Sequence, residues 1–308
     1  MSAKELRTKY MRDFARMSRY SPLIAWGIVA GYLFQIGLAV LAGGYLTSLP
    51  LSWLTVLGSI LLMIFIGTRF RGLNNIIHEC SHSTFSDSRA VDTDIGKFCA
   101  VILFSSFNDY RDEHLTHHAH LGDYEHDLDL QGIKDLRLHD PLTPRVILRH
   151  LVTPIIGRHL PYYLHMNLSA GDGQVFFAAK MVVLFTLFLS AFLFPLTIGI
   201  FLALSYVLAY SSLNYWADCL DHAGIVGTQD DIAASRNILA PWPLRVLFFP
   251  RNDCFHLVHH LFPHVPARHL ETSHRILAQD ALYRARPNAV PARDVAPAPE
   301  DRAVVPAE

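Results

Sequence analysis

Two long runs without charge dominate the chain. From Ser21 to Phe70 the only charged residue is Arg69, and from Met181 to Ala217 there is none. One membrane crossing takes about 20 apolar residues, so each run is too long for one span and suits two. The spans fall near 23–43 and 51–69, then near 174–194 and 197–216. The Gly43-Gly44 pair and the Leu49-Pro50 step offer a first tight turn, and Pro195 marks the second. Lys180 stands near the inner end of the third span, where its long side chain can reach the interface. Composition agrees: 17% of residues are charged and 51% hydrophobic, against roughly 25% charged in soluble domains. Four buried helices in a soluble protein are the plain alternative, and such charge-free lengths argue against it.

Lysine and arginine set the orientation. Lys4, Arg7, Lys9, Arg12, Arg16 and Arg19 precede the first span, Arg69 and Arg71 close the second, and the two hairpin turns carry none. By the positive-inside rule both termini and the segment 71–172 face the cytoplasm, as expected of a multi-pass protein of the cell inner membrane. No cleavable leader is expected at this basic start. The net charge of −1 gives no reason to expect nucleic acid, and the four cysteines form no C-x-x-C pair. Phe98–Phe107 and Val146–Tyr163 are apolar but short or interrupted, and read as helices lying along the interface. The division is a basic segment at 1–20, a membrane domain at 21–285, and a disordered tail at 286–308 rich in Pro, Ala and charge.

Three histidine clusters stand beside these spans: His78-Glu79-Cys80-Ser81-His82, His114-Leu115-Thr116-His117-His118, and His256-Leu257-Val258-His259-His260. Residues three and four apart share a helix face, so each cluster can aim its imidazoles at one point. With two hairpins all three clusters lie on one side of the membrane and can meet. Eight nitrogens exceed the four positions of one zinc site and suit a pair of metal ions of higher coordination number; softness alone leaves iron, zinc, copper and nickel open. The first cluster also fits H-E-x-x-H, the zinc protease pattern with a glutamate base, but that reading leaves the other two clusters without a role. His139, His150, His159, His165, His269 and His274 read as ordinary polar residues, as do His120, His126 and His264 beside the clusters. A non-catalytic metal carrier would place its ligands within the spans near the midplane, and these lie at or beyond the span ends.

The three motifs in this order, with apolar segments between them, resemble the membrane fatty acid desaturase superfamily, which also contains hydroxylases and carotenoid ketolases. The resemblance covers about residues 20–285. It implies an all-α integral membrane protein of four transmembrane helices in two hairpins, with a cytosolic helical cap carrying the histidine boxes. It further implies a centre of two iron ions held by His78, His82, His114, His117, His118, His256, His259 and His260. Acyl-CoA desaturases add a ninth histidine from an N-x-x-x-H motif after the fourth span, where this chain reads Asp218-Cys219-Leu220-Asp221-His222. His222 fits as the ninth ligand, while Asp218 departs from the asparagine and leaves an acyl-CoA substrate open. Glu79, Glu113, Asp218, Asp221 and Asp253 adjoin the boxes and are candidates to orient the ligands and offset the metal charge, with Asp127 and Asp129 close behind the second box.

The implied reaction is an O2-dependent, two-electron oxidation of an unactivated C–H bond, introducing a double bond into a lipid- or carrier-linked fatty acyl chain. A hydroxylase or ketolase, or a desaturase of a non-lipid small metabolite, would use the same site. The chain carries no flavin, NAD or haem motif, so the electrons come from a ferredoxin, rubredoxin or cytochrome b5-type donor docking on the cytosolic face, with Arg111, Arg149 and Arg251 as candidate contacts.

Overall fold

The computed structural model describes residues 3–164, 166–226, 233–286 and 288–289. Within them the chain is helical, and the only β pairing is an isolated bridge between Tyr20 and Ser86. Ten helices position the site: α1 (Ala3–Phe14), α2 (Pro22–Ser48), α3 (Trp53–Ser81), α4 (Arg89–Ile102), α5 (Phe107–His120), α6 (Pro144–Ile155), α7 (Gln174–Leu193), α8 (Pro195–His222), α9 (His256–Leu261) and α10 (Leu270–Leu277). Four of them, α2, α3, α7 and α8, are long and apolar enough to cross a membrane. They are the four expected spans, in the expected two hairpins.

The boundaries differ from expectation in an informative way. Of the two turn sites expected, the first turn uses the Leu49-Pro50 step, at 49–52, and helix α2 runs straight through Gly43 and Gly44. Gly43 is there for packing: a Cβ on it would overlap the ring of Phe201 on α8. The turn is instead fixed by Ser52, whose hydroxyl accepts from Thr55 N at 3.2 Å while Thr55 Oγ1 accepts from Ser52 N at 2.9 Å, a reciprocal cap. At their other ends α3 and α8 do not stop where the apolar run stops. Each continues as one helix, to Ser81 and to His222. Between Gly199 and Tyr210 helix α8 is wound more widely, as a π-helix.

Helix α3 is central, packing along α2, α4 and α8. Ile66, Leu73, Ile76 and Ile77 of α3 bury themselves against Val29, Ile36, Ile95, Cys99 and Phe201. A second core joins the two ends of the chain: Leu6 and Phe14 of α1 pack with Phe255, Leu257 and Phe262 around α9. Phe98–Phe107 is not one interfacial helix. The chain breaks at 103–106, with Phe104 at φ 51°, and the stretch divides between α4 and α5. The second expected interfacial piece does form a helix, α6, with Ile147, Leu148, Leu151 and Ile155 exposed along one side. Lys180 is buried: its ammonium donates to Ser105 O at 2.8 Å and Asn167 O at 2.7 Å, tying α7 to the start of α5. Most of the tail expected at 286–308, and His165, lie outside the described residues.

Candidate metal centre

The nine histidines singled out from the sequence meet at one end of the long helices, in two groups. His78, His82, His114, His118 and His259 form the first; His117, His222, His256 and His260 form the second. Within each group the ligating atoms all lie within 4.8 Å of one another. The first box occupies the last turn of α3 and its C-cap, the second the last two turns of α5, the third all of α9, and His222 the last residue of α8. Helix geometry divides the second and third boxes: His114 and His118, one turn apart, serve the first group, while His117 turns to the second. In α9, His256 and His260 serve the second group and His259 the first.

The Nε2 atoms point inward. His78 and His259 stand 2.8 Å apart at Nε2, His114 lies 3.0 Å from His82 and 3.0 Å from His118, and His118 lies 2.9 Å from His259. In the second group His256 is 2.9 Å from both His222 and His260. Several Nδ1 atoms point outward to acceptors. His117 Nδ1 donates to Asp127 Oδ2 at 2.8 Å, and His222 Nδ1 donates to the Ala234 carbonyl at 2.8 Å. Asp129 lies 3.6 Å from His114 Nδ1 and Asp221 lies 3.7 Å from His256 Nδ1. With the proton on Nδ1, the Nε2 atoms present lone pairs to one another, an arrangement that repels unless a cation sits among them. The spacing is also informative. Ligands at right angles on an ion with bonds of about 2.1 Å lie about 3.0 Å apart, whereas tetrahedral ligands lie about 3.4 Å apart. The observed 2.8–3.0 Å fits the former.

Burial keeps these rings neutral. It pulls His114, His118, His256, His259 and His260 well below the ordinary 6.5, and the repulsion between neighbouring imidazolium rings, were they to protonate together, acts in the same direction. His117 is the exception: burial pulls it down, but the Asp127 carboxylate outweighs that and leaves it raised. Outside the centre, burial pulls His150 and His274 from 6.5 to about 4. An unfolded chain takes up protons at these sites near pH 6.5 that the folded one refuses until about pH 4. Asp92, raised by burial to about 7, and Glu113 and Asp129, raised by burial as well, act in the opposite sense but are fewer than the lowered histidines. The metal-stripped protein is therefore expected to lose thermal stability progressively from about pH 6.5 to 4, read from melting curves in detergent. A midpoint constant or rising across that window would contradict this.

The five acids named from the sequence have different tasks. Glu79, buried, takes Arg251 in a two-point pair, with Arg251 Nε donating to Oε1 at 2.6 Å and Nη2 to Oε2 at 3.1 Å. Among the described residues its carboxylate reaches no histidine, so it fastens the third box to the first and is not free to act as the base of a zinc protease. Arg251 is correspondingly unavailable for docking a partner. Glu113 is exposed and touches no histidine among the described residues. Asp253 pairs with Arg71. Asp218 accepts from the Tyr163 hydroxyl at 2.6 Å, and Asp221 stands behind His256. The residues that hold imidazoles most directly are Asp127 and the Ala234 carbonyl. Asp127 carried a signal, lying ten residues past His117; a backbone carbonyl carries none. Several of the remaining histidines find other partners, such as Tyr215 for His150 at 2.6 Å and Ser211 for His159 at 2.9 Å.

The sequence profile of the family Fatty acid desaturase matches residues 51–288. The chain belongs to the fatty acid desaturase family. Desaturation is an oxidation, and the protein is an oxidoreductase of the desaturase type with an integral membrane architecture and a histidine cluster able to hold metal. Similar curated proteins include a dihydrorhizobitoxine desaturase of Bradyrhizobium elkanii, 26% identical over 80% of this chain and 74% of that protein. An endoplasmic reticulum omega-3 fatty acid desaturase of Vigna radiata var. radiata is 28% identical over 66% of this chain and 60% of its own length. A Delta(12) fatty acid desaturase of Calendula officinalis is 31% identical over 33% of this chain and 28% of its own. The chain thus spans about three quarters of the bacterial relative and less than two thirds of either plant enzyme.

Proposed function

We propose that the protein is an oxygen-dependent desaturase whose two histidine groups each hold one iron ion. His78, His82, His114, His118 and His259 would bind the first; His117, His222, His256 and His260 would bind the second. The observation that carries this reading is the convergence of nine imidazoles in groups of five and four, with six Nε2 pairs at right-angle spacing of 2.8–3.0 Å. Five nitrogens exceed a tetrahedral zinc site, and iron accepts imidazole at higher coordination number. When bound, a reduced iron pair supplies electrons to dioxygen and thereby the oxidising power to break an unactivated C–H bond. The balance is one –CH2–CH2– unit, O2, two electrons and two protons giving one –CH=CH– unit and two waters.

This chain's own residues supply the rest. Asp127, Asp221 and the Ala234 carbonyl orient rings, while Asp221 and Asp253 offset positive charge beside the metals; Asp218, bonded to Tyr163, holds no imidazole among the described residues. The electrons come from an external donor of the ferredoxin, rubredoxin or cytochrome b5 type. Following the lysine and arginine bias, the centre and both termini face the cytoplasm and the spans lie in the cell inner membrane. The plant relatives' names support a lipid- or carrier-linked fatty acyl chain as substrate, and the bacterial relative is named for dihydrorhizobitoxine instead. Hydroxylation would begin with the same attack, and the family favours desaturation.

The test is metal analysis and turnover of protein purified in detergent. Two irons per chain, and a product lighter by two hydrogens formed only with O2 and a reductant, are the expected results. Protein that holds zinc at about one ion per chain and cannot be loaded with iron would overturn the proposal.

A further inference from the structure

Helices α3 and α8 each carry a polar stripe that leads from the membrane up to the histidines. On α3 it runs Arg71, Asn75, His78; on α8 it runs Asn214, Asp218, His222, at intervals of three or four residues that keep each set on one face. Seven or eight residues of helix span roughly 10–12 Å, so both stripes extend well below the metal centre. They face each other across a cavity whose floor is a bond from Arg71 Nη1 to Asn214 Oδ1 at 2.8 Å. One wall is Asp218 with Tyr163, and the roof is His78, His114, His117, His222 and His256. The inner part holds about 80 Å³ and the outer part about 330 Å³, and both are lined by Arg71, Asn74, Tyr110, Asp129, Ile133 and Asp218.

An acyl chain gains little against such walls, whose aliphatic side chains are Leu128, Leu130 and Ile133, since burying methylenes beside charged groups gives up the apolar contacts that would hold them. A volume near 330 Å³ is in the range of small-molecule sites. Two buried polar atoms on the lining lack partners: Asp221 Oδ1 and Arg71 Nε, on side chains that are 4% and 5% exposed. Asp127, Asp129 and Asp221 stand behind histidines, Asp253 is paired with Arg71 and Glu113 is exposed, which leaves Asp218 as the partly buried carboxylate committed to neither.

Resting on the desaturase reading above, we propose that this cavity seats a small, polar, amine-bearing substrate in place of a fatty acyl chain. The ammonium lies against Asp218, with Asn214 and the Tyr163 hydroxyl as further hydrogen-bonding groups, and the carbons to be desaturated lie beneath the roof of histidines. Asp218, where the acyl-CoA enzymes carry asparagine, is then the residue that selects for the cation.

Iron-loaded wild-type and Asp218→Asn protein are titrated by calorimetry with 4-aminobutan-1-ol, and with butane-1,4-diol as the uncharged control. The wild type is expected to bind the amine at least tenfold more tightly than the diol. Asp218→Asn is expected to lose that preference at unchanged iron content, and Tyr163→Phe to weaken amine and diol alike. No preference in the wild type, or an equal one in Asp218→Asn, overturns the proposal. The membrane lipids of cells making wild-type or His118→Ala protein are compared as well. A new acyl double bond that depends on His118 overturns the substrate assignment and leaves the desaturase reading standing. Protein that cannot be loaded with iron yet still prefers the amine sinks the desaturase reading and keeps the cavity's assignment.

Discussion

Replacing His118 with alanine is expected to abolish turnover and lower the iron content. His118 is the joint of the first group: its Nε2 stands 3.0 Å from His114 and 2.9 Å from His259, linking the second box to the third. Its loss leaves four nitrogens where five converged. Residues that merely orient a ligand usually cost 10–100-fold in affinity or activity, so removing a ligand should cost more than about 100-fold. The ring is only partly buried, so the helical fold and most thermal stability should survive. The control lies two positions on: His120 is exposed, lies tilted against His126 with ring centroids 5.4 Å apart, and belongs to neither group. His120→Ala should keep its iron and its turnover. Full activity with two irons in His118→Ala would remove that residue from the centre.

The second large effect is expected at a position that touches no histidine. Glu79→Ala leaves the Arg251 guanidinium buried without its partner, and removing one member of a buried pair costs about 3–5 kcal/mol. Arg251 also sits in the left-handed region at φ 67°, followed by Asn252 at φ 59°, a backbone course that non-glycine residues adopt only when held there. The Glu79 pair holds it. Three residues beyond Asn252's neighbour Asp253 begins α9, so loosening this loop loosens the third box against the first. The melting midpoint in detergent should fall by roughly 10 °C, with loss of metal in parallel. Glu79→Gln, which keeps the shape and one acceptor, should fall by less. A midpoint unchanged in Glu79→Ala would show that the pair contributes nothing.

The parts of this molecule that could be read from its sequence are those whose signal is local. The charge-free runs disclosed four spans, and the three boxes and His222 disclosed every member of the two groups, since each motif carries its own helical spacing. Boundaries were harder. Arg69 marks where apolar composition ends, but a helix has no reason to end there, and α3 continues for a dozen residues so that its last turn can carry His78. Gly43-Gly44 resembles a turn in sequence and is a contact point in space, because the ring that needs the room is Phe201, far along the chain. The task of Glu79 was hidden for the same reason, with its partner 172 residues away. The Ala234 carbonyl that holds His222 is invisible in any alphabet of side chains.

Both histidine groups include members from α9: His259 in one, His256 and His260 in the other. A ribosome must therefore deliver α9, after every other element that carries a ligand, before either group can close. Until then the early imidazoles stand as open, incomplete claws at the bilayer surface, able to hold an ion only weakly. Loading is thus a late event in the life of the nascent chain, and any truncation short of α9 should yield an inserted but metal-poor protein.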